Sequence, residues 1–396
     1  MSEWKNVFLT DVSVKIGDGL HGTPTYDESG DYYFINGNNL LNGRVFIKPE
    51  TKKIAKTEFD KIKKDLNSST LLLSINGTIG NVSKYAGEKC ALGKSVCYIN
   101  LDANIILRDY FYYECLSDNF QSYLDNIATG TTIPNVPLKG LRSYEFKKPP
   151  ITEQKSISSV LSSLDKKIDL LHRQNKTLES MAEALFRQWF ILDVTGVSVS
   201  IDQVIDFNPK RTLTKSQDAT YLDMAGLSTD NFRATGYYKR PFSSGTKFTK
   251  RDTLLARITP CLENGKAAYI DFLAENETGW GSTEFIVMRP KKEIHPMISY
   301  IMCRNPDFKE YAESCMEGST GRQRVNLDYL KKFNVNLPTE ASLRKINELL
   351  DSFESKLINN SRQIDSLEKL RNTLLPKLMS GEVRVQYAEE AIASVA

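Results

Sequence analysis

The segment TEQKSISSVLSSLDKKIDLLHRQNKTLESMAEALFRQWF, residues 152–190, places Ile157, Leu161, Leu164, Ile168, Leu171, Asn175, Leu178, Ala182, Leu185 and Trp189 in a three-then-four rhythm. That spacing lines one stripe of a helix and predicts a heptad seam. A second stretch, 339–379, repeats it with Ile346, Leu350, Phe353, Leu357, Asn360, Ile364, Leu367, Arg371, Leu374 and Leu378. Pro149-Pro150 and Pro338 stiffen the two approaches, Thr152 and Thr339 are suited to cap, and Glu153 and Glu340 put negative charge on the first turns. Paired antiparallel with residue numbers summing to 535, Leu161 meets Leu374, Ile168 meets Leu367, Leu178 meets Leu357 and Ala182 meets Phe353. The two seam asparagines, Asn175 and Asn360, then share a layer, where they satisfy each other and fix the register. Arg371 falls opposite Leu164 and is expected to extend its stem to solvent.

The rest of the chain is a duplication. Thr70–Ile75 corresponds to Thr253–Ile258 at an offset of 183, Gly93–Cys97 to Gly281–Phe285 at 188, Gly130-Thr131-Thr132 to Gly318-Ser319-Thr320 at 188, and Ile157 to Ile346 at 189. Each copy is then a globular domain of about 150 residues followed by a long helix. Short apolar runs such as Tyr32–Ile35, Thr70–Ile75, Val96–Ile99, Thr253–Ile258 and Phe285–Met288 predict strands, and Gly-rich turns separate them. Helices are expected over Asp109–Asn126 and Pro296–Met316, with Tyr110, Phe111, Tyr112 and Tyr113 in the core. The expected fold class is α+β: two duplicated domains separated by an antiparallel two-helix coiled coil, with pseudo-two-fold symmetry. The expected boundaries are 1–151, first domain; 152–190, first spacer helix; 191–338, second domain; 339–383, second spacer helix; and 384–396, tail.

The chain has 396 residues, 40% hydrophobic and 26% charged, with a net charge of +3 and a pI near 8.3. That is ordinary for a soluble protein, so any basic surface must be local. The six cysteines have no metal-ligand spacing and suggest reduced thiols in the cytoplasm. No signal-peptide pattern or membrane-length apolar run is visible, so no membrane partner is expected. Catalytic motifs are absent. Gly93-Lys94-Ser95 lacks the spacing of a P-loop and precedes a strand-like run, and His21, His172 and His295 offer no metal-ligand spacing. Asn208-Pro209 and Asn305-Pro306 lack the following Pro-aromatic of an amino-methyltransferase.

Taken in order, the motifs resemble the specificity subunit of a bacterial type I restriction-modification system. The resemblance rests on Ile16–Pro24 (IGDGLHGTP), Ser74–Gly80 (SINGTIG), Pro149–Lys155 (PPITEQK), Gly281–Phe285 (GSTEF), Gly318–Gly321 (GSTG) and Leu378–Val385 (LMSGEVRV). It implies a non-catalytic subunit whose two domains are target-recognition domains, each reading one half of a bipartite, asymmetric double-stranded DNA site. The helix pair, about 57 Å long at 1.5 Å per residue, would set the gap. The implied partners are two methyltransferase subunits, which use S-adenosylmethionine, and two restriction-motor subunits, which depend on ATP and magnesium. One departure is TPCLENGK (Thr259–Lys266) where the first copy has GTIG (Gly77–Gly80), so the two domains are expected to read different half-sites.

Base readout favours Arg or Lys toward guanine, Asn or Gln toward adenine, and Ser or Thr toward bases or phosphates. The expected DNA-binding residues are Asp18, His21, Thr23, Asn38, Thr78, Lys94 and Ser95 in the first domain, and Arg257, Lys266, Ser282, Thr283, Glu284, Arg322, Gln323 and Arg324 in the second. Arg322-Gln323-Arg324 stands out as three long donors after Gly321. Plainer readings stay open beside these: a solvated charged loop for that run, a structural turn for Asp18, and a polar strand pair for Thr283-Glu284. An alternative function for the whole chain is a coiled-coil adaptor carrying two modules that bind something other than DNA.

Overall fold

A computed structural model describes residues 4–385 except 131, 194, 230, 292 and 320, so most of the expected tail, 386–396, lies outside the described residues. The chain forms two compact units: Met1–Ile168 with Ser366–Ala396, and Asp169–Asp365.

In the first unit an antiparallel four-stranded sheet runs in the order Ser13–Asp18, Val96–Leu101, Thr70–Ser74, Val82–Lys84. Every residue of Thr70–Ser74 and Val96–Leu101 is buried, because both faces of the sheet are covered. One face packs Leu72, Val96 and Tyr98 against Ile35, Leu92 and Cys90 of a smaller sheet, in which Tyr32–Ile35 runs parallel to Cys90–Leu92. Helix Arg108–Leu116 contacts strand Thr70–Ser74. Tyr110, Phe111, Tyr112 and Tyr113 are all buried, as their helical spacing suggests. The helix expected over Asp109–Asn126 is two helices, Arg108–Leu116 and Asp118–Ile127, because the Ser117 hydroxyl accepts the Phe120 amide and starts the second.

Glu114 is buried beneath this aromatic layer and accepts a hydrogen bond from the Tyr144 hydroxyl at 2.5 Å. Burial pushes its carboxyl up to about 7 from an ordinary 4.5, against the pull of that hydroxyl. The folded state therefore holds a proton that the unfolded chain releases near 4.5, so this group's contribution to stability is full below that value and is lost as pH rises through 7. Glu114→Gln, which keeps an acceptor for Tyr144, is expected to stabilise the protein by roughly 1–3 kcal/mol at pH 8 and by little at pH 5. Melting curves at the two pH values check this, and an equal shift at both would contradict it.

The second unit repeats the plan. Its antiparallel sheet runs Ile205–Phe207, Phe285–Pro290, Thr253–Ala256, Ala267–Tyr269, and its outer sheet again holds a parallel pair, Asp218–Leu222 with Thr278–Gly281. Two further strands, Tyr238–Pro241 and Thr246–Thr249, widen that outer sheet to four. Leu254, Ala256, Phe285 and Val287 face it, with Leu222 and Phe248 opposite. The helix expected over Pro296–Met316 is again divided, here because Asn305 caps helix Pro306–Ser314 and Pro306 has no amide hydrogen to continue the helix before it.

The duplication holds, but the face each side chain takes shifts the alignment by one residue. Leu72 and Val96 share their face with Leu254 and Phe285, offsets of 182 and 189 rather than 183 and 188. A one-residue slip in both strands leaves the pairing register intact and turns every side chain to the opposite face.

The long helices span Ile151–Phe186 and Glu340–Met379; the first continues as a π-helical turn, Arg187–Leu192. The first begins one residue before Thr152, so Thr152 lies inside the helix and does not cap it. Thr339 does cap the second: its hydroxyl accepts the Ser342 amide at 3.4 Å. Gly381, at φ +75, lies just beyond the second helix's end in a conformation that glycine adopts without strain. Side-chain hydrogen bonds join the helices within each unit. In the first unit Arg371 Nη1 donates to Asp165 Oδ1 at 3.1 Å, and Asp165 also accepts from the Tyr113 hydroxyl at 2.7 Å. Arg371 thus turns to a partner rather than out to water. In the second unit Asn360 Nδ2 donates to Asn175 Oδ1 at 2.9 Å. Partner numbers sum to 536 and 535, a constancy that only antiparallel helices give. The Asn pair is bonded in one direction, since Asn360 Oδ1 is buried without a partner.

Candidate nucleic-acid interface

At one end of each main sheet, backbone hydrogen bonds gather the loops that carry the expected DNA-binding residues. In the first unit Leu20 N donates to Leu92 O at 2.8 Å, Gly93 N to Ile35 O at 2.9 Å, Ile75 N to Ser95 O at 2.9 Å, Val136 N to Ile75 O at 2.8 Å and Gly77 N to Pro134 O at 3.0 Å. The loops after residues 18, 36, 75, 93 and 129 therefore share one edge. Gly19 is required by this closeness: a Cβ there would fall 2.2 Å from the Leu92 carbonyl oxygen.

On that edge His21 Nε2 lies 2.6 Å from Asp18 Oδ2, with His21 exposed and Asp18 half-buried. Ser95 joins two loops, its hydroxyl accepting from Gly37 N at 3.0 Å and donating to Asn36 Oδ1 at 3.2 Å. Thr23, Asn38, Thr78 and Lys94 are exposed, and among the described residues no hydrogen bond engages their side chains. Asn135, which carries no distinguishing sequence signal, also lies here; its Oδ1 accepts from Asn76 Nδ2 at 3.1 Å.

The second unit builds the same edge. Arg257 N donates to Glu284 O at 3.0 Å, Val325 N to Arg257 O at 2.8 Å and Thr259 N to Gln323 O at 3.1 Å. Glu284 receives the Arg324 guanidinium through both Nε, at 3.0 Å, and Nη2, at 2.7 Å. Those bonds hold the Glu284 carboxyl below its usual range, and the two side chains satisfy each other. Arg257 stands beside them, with Nη2 donating to Val325 O at 3.4 Å and Nε 4.0 Å from Glu284 Oε2. Ser282 accepts the Glu284 amide at 3.1 Å, and Lys266 Nζ donates to Met224 O at 3.1 Å. Arg304 fixes the loop before Lys266 by donating to the Gly265 and Thr229 carbonyls, each at 2.7 Å. Thr283 and Arg322 are exposed and Gln323 half-buried; none of the three side chains makes a hydrogen bond among the described residues. Thr131 and Thr320, from the repeated Gly-Thr/Ser-Thr motif, lie outside the described residues.

One titratable cluster sits apart from both edges. His295, Asp351 and Glu354 bring ligand atoms within 4.8 Å of one another, the spacing of a metal site. The Arg251 guanidinium already occupies it, with Nη2 2.5 Å from Glu354 Oε2 and 3.2 Å from His295 Nε2. Met297 N donates to His295 Nδ1 at 3.2 Å, and His295 Nε2 lies 3.0 Å from Asp351 Oδ1.

A family model described as the type I restriction modification DNA specificity domain matches residues 1–180 and 195–369. The chain belongs to this family. Among members of the specificity family, the MjaIX specificity subunit of Methanocaldococcus jannaschii is 26% identical over 422 residues, covering 97% of this chain and 94% of that protein. The HindI specificity subunit of Haemophilus influenzae is 21% identical, covering 97% and 100% respectively. The crystal structure of a type I system S subunit from M. genitalium superposes with a TM-score of 0.58 at 19% identity, covering 95% of this chain and 96% of that one, which establishes the shared specificity-subunit fold. Among the described residues no helix is long and apolar enough to cross a membrane.

Proposed function

We propose that this chain is the non-catalytic DNA-specificity subunit of a type I restriction-modification complex, each unit reading one half of a bipartite duplex site through its loop edge. The observation that carries the reading is the repeated edge: two units of one family, the same backbone ladder, and different side chains on it. Asp18, His21, Thr23, Asn38, Thr78, Lys94 and Ser95 form the first reading edge; Arg257, Lys266, Ser282, Thr283, Glu284, Arg322, Gln323 and Arg324 form the second. The bidentate pair Glu284–Arg324 is suited to stiffen that second edge, leaving Arg322 free to reach outward. The antiparallel helices act as a spacer whose register the Asn175–Asn360 layer fixes, and they present docking surface to two methyltransferase subunits. Those subunits would hold S-adenosylmethionine, and two motor-nuclease subunits would bring ATP and magnesium. The complex would work in the cytoplasm, where the genome is.

The test is binding of the chain, assembled with its methyltransferase partner, to a duplex carrying the motif found by mapping methylated bases in the host genome. Affinity should fall steeply with salt, as phosphate contacts require. Arg322→Ala should weaken specific binding by about 1–3 kcal/mol without lowering the melting temperature, since the side chain is exposed. Affinity that is flat in salt, or equal for cognate and scrambled duplexes, would overturn the reading.

A further inference from the structure

We infer that the loop-tip residue before the last strand of each edge is a base-reading position, Ile133 contacting the C5 methyl of a thymine and Arg322 the O6 and N7 edge of a guanine. This rests on the DNA-recognition reading above and names the chemistry each unit seeks at that place.

The equivalence of the two residues follows from the backbone. Gly77 N donates to Pro134 O, and Thr259 N to Gln323 O. Asn76 forms an antiparallel bridge with Asn135, and Ile258 with Arg324. Val136 N donates to Ile75 O, and Val325 N to Arg257 O. Each pairing maps onto its counterpart at offsets of 182 on the first strand and 189 on the second, so the residue before Pro134 maps onto the residue before Gln323. The glycine below each tip is also shared. Gly130 (φ +92) and Gly318 (φ +124) lie against the carbonyls of Ile133 and Arg322, where an added Cβ would come within 2.7 and 3.1 Å of the respective oxygens. The second loop is one residue longer between glycine and tip.

At this shared position the side chains are opposite in chemistry and alike in exposure. Ile133 is 61% exposed, among the most exposed large hydrophobic side chains described, and the Arg322 side chain is exposed and makes no hydrogen bond among the described residues. A packing role requires burial, which neither has. A β-branched apolar side chain beside the Asn76–Asn135 pair matches the thymine methyl, the apolar feature of the major groove, while the arginine fork matches the two acceptors of guanine. The same scaffold position then discriminates different bases in the two half-sites.

The experiment uses the assembled methyltransferase and its mapped motif in duplexes of altered bases. Replacing each thymine of the first half-site with uracil removes one methyl, and at one position should cost the wild type roughly fourfold in affinity, the value of a buried methylene-sized group. Ile133→Ala should lose sensitivity at that position and keep it at the others. Replacing each guanine of the second half-site with 7-deazaguanine removes N7, and at one position should cost about tenfold, which Arg322→Ala should abolish. A first half-site without thymine, a second without guanine, or variants whose base-analogue profiles match the wild type would overturn the inference while leaving specific binding intact. Wild-type complex that binds motif and scrambled duplex equally would instead overturn the DNA-recognition reading itself.

Discussion

Seven heptad-consistent residues added after Asn175 and seven more before Asn360 are expected to lengthen the gap between the two half-sites by about three base pairs, with the Asn175–Asn360 layer kept. The arithmetic is direct: seven residues at 1.5 Å give about 10.5 Å, and each base pair advances about 3.4 Å. A heptad preserves the seam, so the buried Leu171, Ile364 and Leu357 and the partly buried Leu178 keep their places on either side of the insertion. Insertion in one helix alone should not shift the gap cleanly, because the Asn175–Asn360 layer would then face apolar partners and one Asn amide would be buried unpaired. Mapping methylated bases in cells expressing the doubly extended chain with its methyltransferase reads the gap directly. A motif with its original spacing would refute the spacer role.

Glu354→Ala is expected to destabilise the second unit by about 2–4 kcal/mol, lowering its melting temperature by roughly 5–15 °C. Glu354, on the second long helix, accepts from Arg251 Nε at 3.0 Å, Arg251 Nη2 at 2.5 Å and the buried Tyr269 hydroxyl at 2.6 Å. Its removal strips a half-buried guanidinium of its nearer counter-ion, leaving Asp351 at 3.5 Å, and leaves a buried phenol without its acceptor. Arg251 also has φ +67, a left-handed conformation costly for a side-chain-bearing residue, so its anchoring holds local strain in place. Glu354→Gln should lie between, since it retains an acceptor but presents an amide to the guanidinium. Scanning calorimetry of the full chain checks this; a shift below about 2 °C for Glu354→Ala would show that the contact between helix and sheet carries little.

The seam was legible because a 3.5-residue period needs no knowledge of the partner, and the coincidence of Asn175 with Asn360 chose the direction of pairing. The duplication was legible too, through glycines and strand-like runs. Its parity was not. Leu71-Leu72-Leu73 is apolar on both faces of a covered sheet, so no alternation told which leucine faces the outer sheet, and the alignment slipped by one residue. The helix breaks at Ser117 and Asn305 had visible causes in a capping serine and in Pro306, overridden by the apolar rhythm on either side. At the reading edges sequence marked loops rather than roles. That Glu284 and Arg324 satisfy each other across 40 residues is a property of sheet register, as is the arrival of Asn135 beside Asn76. Nothing in the sequence marks Ile133, and the fold leaves it exposed at the loop tip.

The second unit is continuous, Asp169–Asp365, whereas the first closes only when Ser366–Ala396 joins Met1–Ile168. During translation the amino-terminal globule therefore leaves the ribosome with Leu161 and Leu164 uncovered, and must wait about 200 residues for Leu374 and Leu378. At 5–20 residues per second that wait lasts roughly 10–40 s. The inner half of the chain can finish folding first, and the outer half remains the one a chaperone would shelter.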